Sequence, residues 1–145
     1  MKKYVALLRG INISGKNKVP MAELKQSFHL DIPVFVIAKE ELEDILHHAP
    51  DWWGNENKEI YDNLIFIIPP ATFKDVYNEI GEPQQGLERI KAYKETVFWS
   101  FSRKDYQKTN WWPKTASAAI SSKLTIRTAN TVRKINQICC DSSTP

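Results

Sequence analysis

The sequence predicts an α+β protein whose second half is a single β-α-β-β-α-β unit. Three observations predict it. An apolar run from Asn63 to Ile68 is closed by Pro69-Pro70. Phe73, Val76, Tyr77 and Ile80 then recur at helical spacing and stop at Gly81. Two alternating stretches follow, Glu88–Lys94 and Thr96–Ser102, which read as a hairpin. With 145 residues the chain has the length of one ordinary domain or two small ones. A hydrophobic content of 42% supplies a core, and 26% charged residues describe a solvated surface rather than a disordered chain.

From the start of the chain, Tyr4–Arg9 is a strand: its apolar run is too short for a signal-peptide core or a membrane span. A polar loop, Gly10–Lys18, leads to a helix opening near Pro20, with Leu24 and Phe28 on one face. Ile32–Ile37 is a continuous apolar run and reads as a buried strand. Lys39–His48 is a helix with Leu42, Ile45 and Leu46 inward and a solvated acidic face. Ala49–Glu59 is loop-like, carrying Pro50, Trp52, Trp53 and Gly54. After the hairpin, Lys104–Ser121 reads as a helix interrupted at Pro113, Lys123–Arg127 as a short strand, and Thr131–Ile138 as a last helix. Asp141–Pro145 is a polar tail.

The order of elements from 63 to 128 is the ferredoxin-like one, a four-stranded antiparallel sheet with two helices on one face. The N-terminus carries an incomplete similar unit. The expected division is an N-terminal α/β unit over 1–37, a helix-and-loop connector over 38–62, the ferredoxin-like unit with its terminal helix over 63–138, and a tail over 139–145.

Leu7-Leu8-Arg9-Gly10-Ile11-Asn12, Gly15-Lys16-Asn17-Lys18-Val19 and Met21-Ala22-Glu23-Leu24 form an opening motif. Trp52-Trp53-Gly54, Tyr61–Ile65, and Leu124-Thr125-Ile126-Arg127 with Asn130-Thr131-Val132 accompany it. In these stretches the chain resembles the domain of unknown function 1697 family. The resemblance implies two similar α/β halves and a bacterial, cytoplasmic protein, and it brings no assigned activity. Where the family often has Arg-Asn-Trp-Asn-Thr, this chain has Arg127-Thr128-Ala129-Asn130-Thr131. Family members usually carry two more strands and a helix before the strand that begins here at Ile32. Only His29-Leu30-Asp31 stand in that place. Three residues reach about 10 Å, less than a strand length of roughly 17–20 Å. The sequence therefore predicts either an omission between about Gln26 and Asp31 or a rearranged N-terminal half, and Cα steps of normal length through 26–31 would rule out the omission.

Two stretches carry candidate chemistry. Gly10-x-x-x-x-Gly15-Lys16-Asn17 is one residue from a phosphate-binding P-loop, with Asn where a Mg²⁺-holding hydroxyl belongs. A looser anion site survives there, between a strand end and a helix start: Arg9, Gly10, Asn12, Gly15, Lys16, Asn17 and Lys18. The second stretch is Arg127, a bidentate fork at a strand end, followed by Asn130 and Thr131 at a helix capped by Thr128 or Asn130. Against these stand plainer readings: a glycine turn with solvated lysines, and an ordinary helix cap beside a salt-bridged arginine.

Other chemistries are disfavoured. Adjacent His47 and His48 do not converge on one ion, and no paired-cysteine motif accompanies them. Neighbouring Cys139 and Cys140 give no disulfide framework. Each tryptophan pair, Trp52-Trp53 and Trp111-Trp112, is expected to split between core and surface. The net charge of +3 permits an anionic partner without demanding nucleic acid. The sequence thus predicts a binding module for a small anionic ligand, a nucleotide or phosphate compound. Nucleic-acid binding, an enzyme on the same anion site and homodimeric self-association are the alternatives. It names no cofactor, no catalytic residue, no metal and no membrane partner.

Overall fold

The computed structural model describes residues 4–8, 34–117 and 119–141. Within them the chain is a mixed α/β protein with two antiparallel sheets and several helices. The smaller sheet pairs β1 (Tyr4–Leu8) with β2 (Val34–Ala38), Leu8 opposite Val34 and Tyr4 opposite Ala38. Its alternation is that of a half-buried ribbon: Val5, Leu7, Phe35 and Ile37 point inward, while Tyr4, Ala6 and Val36 are exposed. The Gly10–Lys18 loop, the helix expected from Pro20 and the 26–31 stretch lie outside the described residues.

Helix α1 (Lys39–His47) follows directly and buries Leu42 and Ile45. Residues 48–59 form a loop that leads into the larger sheet. That sheet consists of β3 (Ile60–Ile67), β4 (Glu88–Tyr93), β5 (Thr96–Ser102) and β6 (Leu124–Thr128), in the spatial order β4-β5-β3-β6 with every pairing antiparallel. Between β3 and β4 lies α2 (Phe73–Ile80). Its start is fixed by a capping box in which the Thr72 hydroxyl accepts from Asp75 N–H and Asp75 accepts from Thr72 N–H.

The helix expected over Lys104–Ser121 is instead three pieces: a 3-10 helix at Arg103–Lys108, α3 at Trp111–Ser117, and a 3-10 helix at Ala119–Lys123. The reason is local. The Thr109 hydroxyl accepts the Trp112 amide, which starts a new helix there. Pro113 then falls in a first turn, where its missing N–H costs nothing, and so it opens α3 rather than kinking a longer helix. The last helix, α4 (Ala129–Asp141), begins two residues earlier than its apolar spacing indicates.

The larger sheet is covered on both faces, which explains why Leu64–Ile67 of β3 is an unbroken apolar run. Leu64 and Phe66 pack with Phe98, the β1–β2 ribbon, α1, Trp53, and Ala129 and Val132 of α4. The alternate residues Ile65 and Ile67 pack with Val97, Trp99 and Phe101 against Val76 and Ile80 of α2 and Trp111 of α3. Both tryptophan pairs split: Trp53 and Trp111 are buried, and Trp52 and Trp112 are partly or wholly outside. Among the described residues no helix is long and apolar enough to cross a membrane.

Candidate functional site

A cleft of about 440 Å³ opens where the 54–58 loop, the start of β3 and the start of α4 meet. The loop forming its roof is pinned rather than loose. The Trp53 indole donates to the Asn63 carbonyl at 2.8 Å, with its ring edge-on to Phe98. Gly54 adopts φ +79°, a left-handed conformation that glycine reaches without cost. Its carbonyl accepts from the Arg133 guanidinium at 2.6 Å, and Arg133 also lies over the Trp53 ring. The Asn57 side chain accepts from Glu59 N–H, turning the chain into β3.

Two cations line the cleft, Lys58 and Arg103. Arg103 follows the last residue of β5, and its backbone N–H donates to the Glu59 carbonyl at 2.9 Å. Its guanidinium sits 4.5 Å from the Tyr61 ring centroid, and Tyr61 in turn stacks on Phe101. It has no ion pair among the described residues. The opposite wall is Thr128, Ala129 and Asn130 at the start of α4. The Thr128 hydroxyl accepts the Thr131 amide at 3.3 Å and thereby caps the helix. A helix start carries partial positive charge and leading amides that have no intrahelical acceptor.

Two carboxylates line the same cleft. Glu56 is exposed on the loop, whereas Asp62 is buried at the floor. Asp62 accepts from the hydroxyl of Ser100, its cross-strand partner. Ser100 itself lines a second cleft of about 590 Å³ that also holds Trp52 and Arg89. The two clefts share Asn55 and Ile60 as lining residues.

The residues expected from sequence fare differently. Asn130 lines the first cleft, and Thr131 contributes the amide that closes the cap. Arg127 does not line it. By register Arg127 lies opposite Leu64, deeper along the sheet than the Asp62 floor. Its guanidinium donates to the Thr125 hydroxyl at 2.8 Å and to the Ile126 carbonyl at 2.9 Å. Burial pulls its pKa below the ordinary value. Arg9, Gly10, Asn12, Gly15, Lys16, Asn17 and Lys18 lie outside the described residues. Sequence reasoning missed Lys58, Arg103 and Asp62. The signal for Asp62 was present, as an acidic residue beside an apolar strand; the two cations gave none, because solvated surface lysines and arginines look the same.

The model of the family described as "Protein of unknown function (DUF1697)" matches residues 1–29 and 24–98. The chain belongs to the DUF1697 family. The two matched stretches overlap at residues 24–29. Among solved structures, the DUF1697 chain is similar to the conserved bacterial protein SP0830 from Streptococcus pneumoniae, with 24% identity and a TM-score of 0.73. That similarity covers 94% of this chain and 97% of that one, and at this identity it speaks for the fold alone. No curated protein matches the chain.

Proposed function

We propose that this protein binds a small anionic ligand in the cleft between the 54–58 loop and the start of α4. The observation that carries the reading is Arg103. Its guanidinium is held over Tyr61 with no carboxylate partner among the described residues, directly at a cleft whose other wall is a helix start. Lys58 adds a second positive charge. The carboxylates balance the formal charge, but Asp62 sits buried at the floor accepting from Ser100, and Glu56 is exposed. An anion therefore meets the cations and the α4 amides, with Asn130 and Thr131 in the first turn. In this reading β3 to β6, with α2 and α3, form a ferredoxin-like unit whose sheet end presents the site. The sequence-expected loop from Arg9 to Lys18 belongs to the same proposal as a second contributor.

The test is a thermal-shift and calorimetric titration with inorganic phosphate and pyrophosphate at low and moderate salt. A ligand at 100 times its Kd raises stability by about 2.7 kcal/mol. The expected result is a shift that Arg103→Ala weakens by about tenfold or more in affinity, as loss of one charge-assisted contact implies. Lys16→Ala in the same assay reports whether the N-terminal loop takes part. A cooperative melt that no anion moves would overturn the proposal.

A further inference from the structure

The two clefts are not independent, and together they narrow the ligand's chemistry. We infer that the anion is the phosphate of a nucleoside phosphate lying across both clefts; the inference rests on the anion-binding reading above. The chemistry changes in order along the surface. Lys58, Arg103 and the α4 start lie at one end. Next comes the buried Asp62–Ser100 pair, with Asp62 lining the first cleft and Ser100 the second. At the far end stand Trp52 and Arg89, in a cleft joined to the first at Asn55 and Ile60.

Each stretch suits one part of such a ligand. The cations and helix amides suit a phosphate. A carboxylate that accepts one hydroxyl from Ser100 keeps further lone pairs, and ribose hydroxyls are donors of the right kind. Trp52 is partly exposed in this cleft and offers an indole for a flat heteroaromatic ring, and the exposed Arg89 lining the same cleft can donate to ring acceptors. A phosphate compound without a ring would leave the second cleft unused. Both cleft volumes, about 440 and 590 Å³, fall in the usual range for small-molecule sites.

The experiment is isothermal titration of the full chain with inorganic phosphate, ribose 5-phosphate, adenosine, AMP and UMP. The nucleotides should bind about tenfold or more tightly than ribose 5-phosphate, the advantage expected of one base stacked on an aromatic ring. Trp52→Leu should remove that advantage and leave phosphate affinity unchanged, while Trp52→Phe restores it. If Trp52→Leu fails to fold, Arg89→Ala serves instead, since it is exposed; it should lower nucleotide affinity alone. Arg103→Ala should weaken every phosphate ligand and leave adenosine unaffected. Equal affinity for AMP, UMP and ribose 5-phosphate would overturn the inference and leave anion binding standing. Absence of binding by any phosphate would remove both.

Discussion

Replacing Glu88 with glutamine should destabilise this protein more than almost any other single-atom change. Glu88 is 5% exposed and its carboxylate takes hydrogen bonds from four donors. One oxygen accepts from the Trp99 indole at 3.0 Å and from Trp111 N–H at 3.3 Å. The other accepts from Gln84 N–H at 2.8 Å and from Asn110 N–H. The side chain thereby ties the start of β4 to β5 and to the start of α3, where it accepts the Trp111 amide while Thr109 accepts the next one. Trp111 N–H also lies 3.4 Å from the second oxygen, so an amide that keeps that oxygen strands only the Trp99 indole, while the opposite orientation strands Gln84 and Asn110. Hydrogen bonds to charged acceptors contribute about 1.5–3 kcal/mol each. Losing the Trp99 bond, with the others weakened to a neutral acceptor, gives a destabilisation of roughly 2–4 kcal/mol for Glu88→Gln. Urea unfolding followed by tryptophan fluorescence measures it, with Glu79→Gln on the exposed side of α2 as the control, expected within about 0.5 kcal/mol of the parent. A loss for Glu88→Gln below about 1 kcal/mol would refute the assignment of Glu88 as the acceptor that anchors α3.

Two further perturbations probe the loop and the hairpin. Gly54→Ala should cost about 1–2 kcal/mol, because its φ of +79° disfavours any side chain and a new Cβ would run into the Arg133 guanidinium; a urea midpoint unchanged from the parent would count against a pinned loop. Asp44 joins α1 to the β4–β5 turn: Tyr93 donates to it at 2.6 Å, Lys94 pairs with it at 2.9 Å, and His48 stacks on Tyr93. The Tyr93 hydroxyl first, and Lys94 second, hold its carboxyl below the ordinary carboxylate value. The folded pKa is thus lower than the unfolded one, so the stabilisation is present above the unfolded value and is lost as pH falls through the folded one. Asp44→Asn should lower the Tm at pH 7, and the gap from the parent should close below pH ~4; a gap independent of pH would show that the charge contributes nothing.

Much of the fold was legible because apolar spacing and core placement agree. The residues that gave β3, α2 and β5 their patterns fill or flank the two cores, whereas on β4 Ile90 packs inward and Ala92 is exposed. What sequence could not supply were facts set by partners distant in the chain. Pro113 reads as a kink until Thr109 is seen to cap a new helix beneath it. Arg127 reads as a ligand-facing fork because its strand end and the following cap are both visible. Which way it points depends on the register of β6 against β3, where Leu64 is its neighbour on the covered face. Arg103 was invisible for the converse reason: its value comes from Tyr61 and from the start of α4, each far away in sequence.

The contrast between Arg127 and Arg103 bears on where ligand chemistry can reside. Both follow a sheet strand's interior and both carry a guanidinium near a helix start. Arg127 donates to a hydroxyl and a carbonyl of its own strand and pays for its burial with a lowered pKa. A cation so satisfied would have to give up those bonds before meeting an anion, and the exchange returns little. Arg103 is supported by an aromatic face instead, a contact that uses none of its N–H donors. The loop above it is fixed by Trp53 and Arg133, so ordering the site adds little entropic cost on binding. An anion arriving at this cleft meets a guanidinium that is placed and, among the described residues, unpaired, and that difference, more than the count of charges, favours Arg103 over Arg127 as its partner.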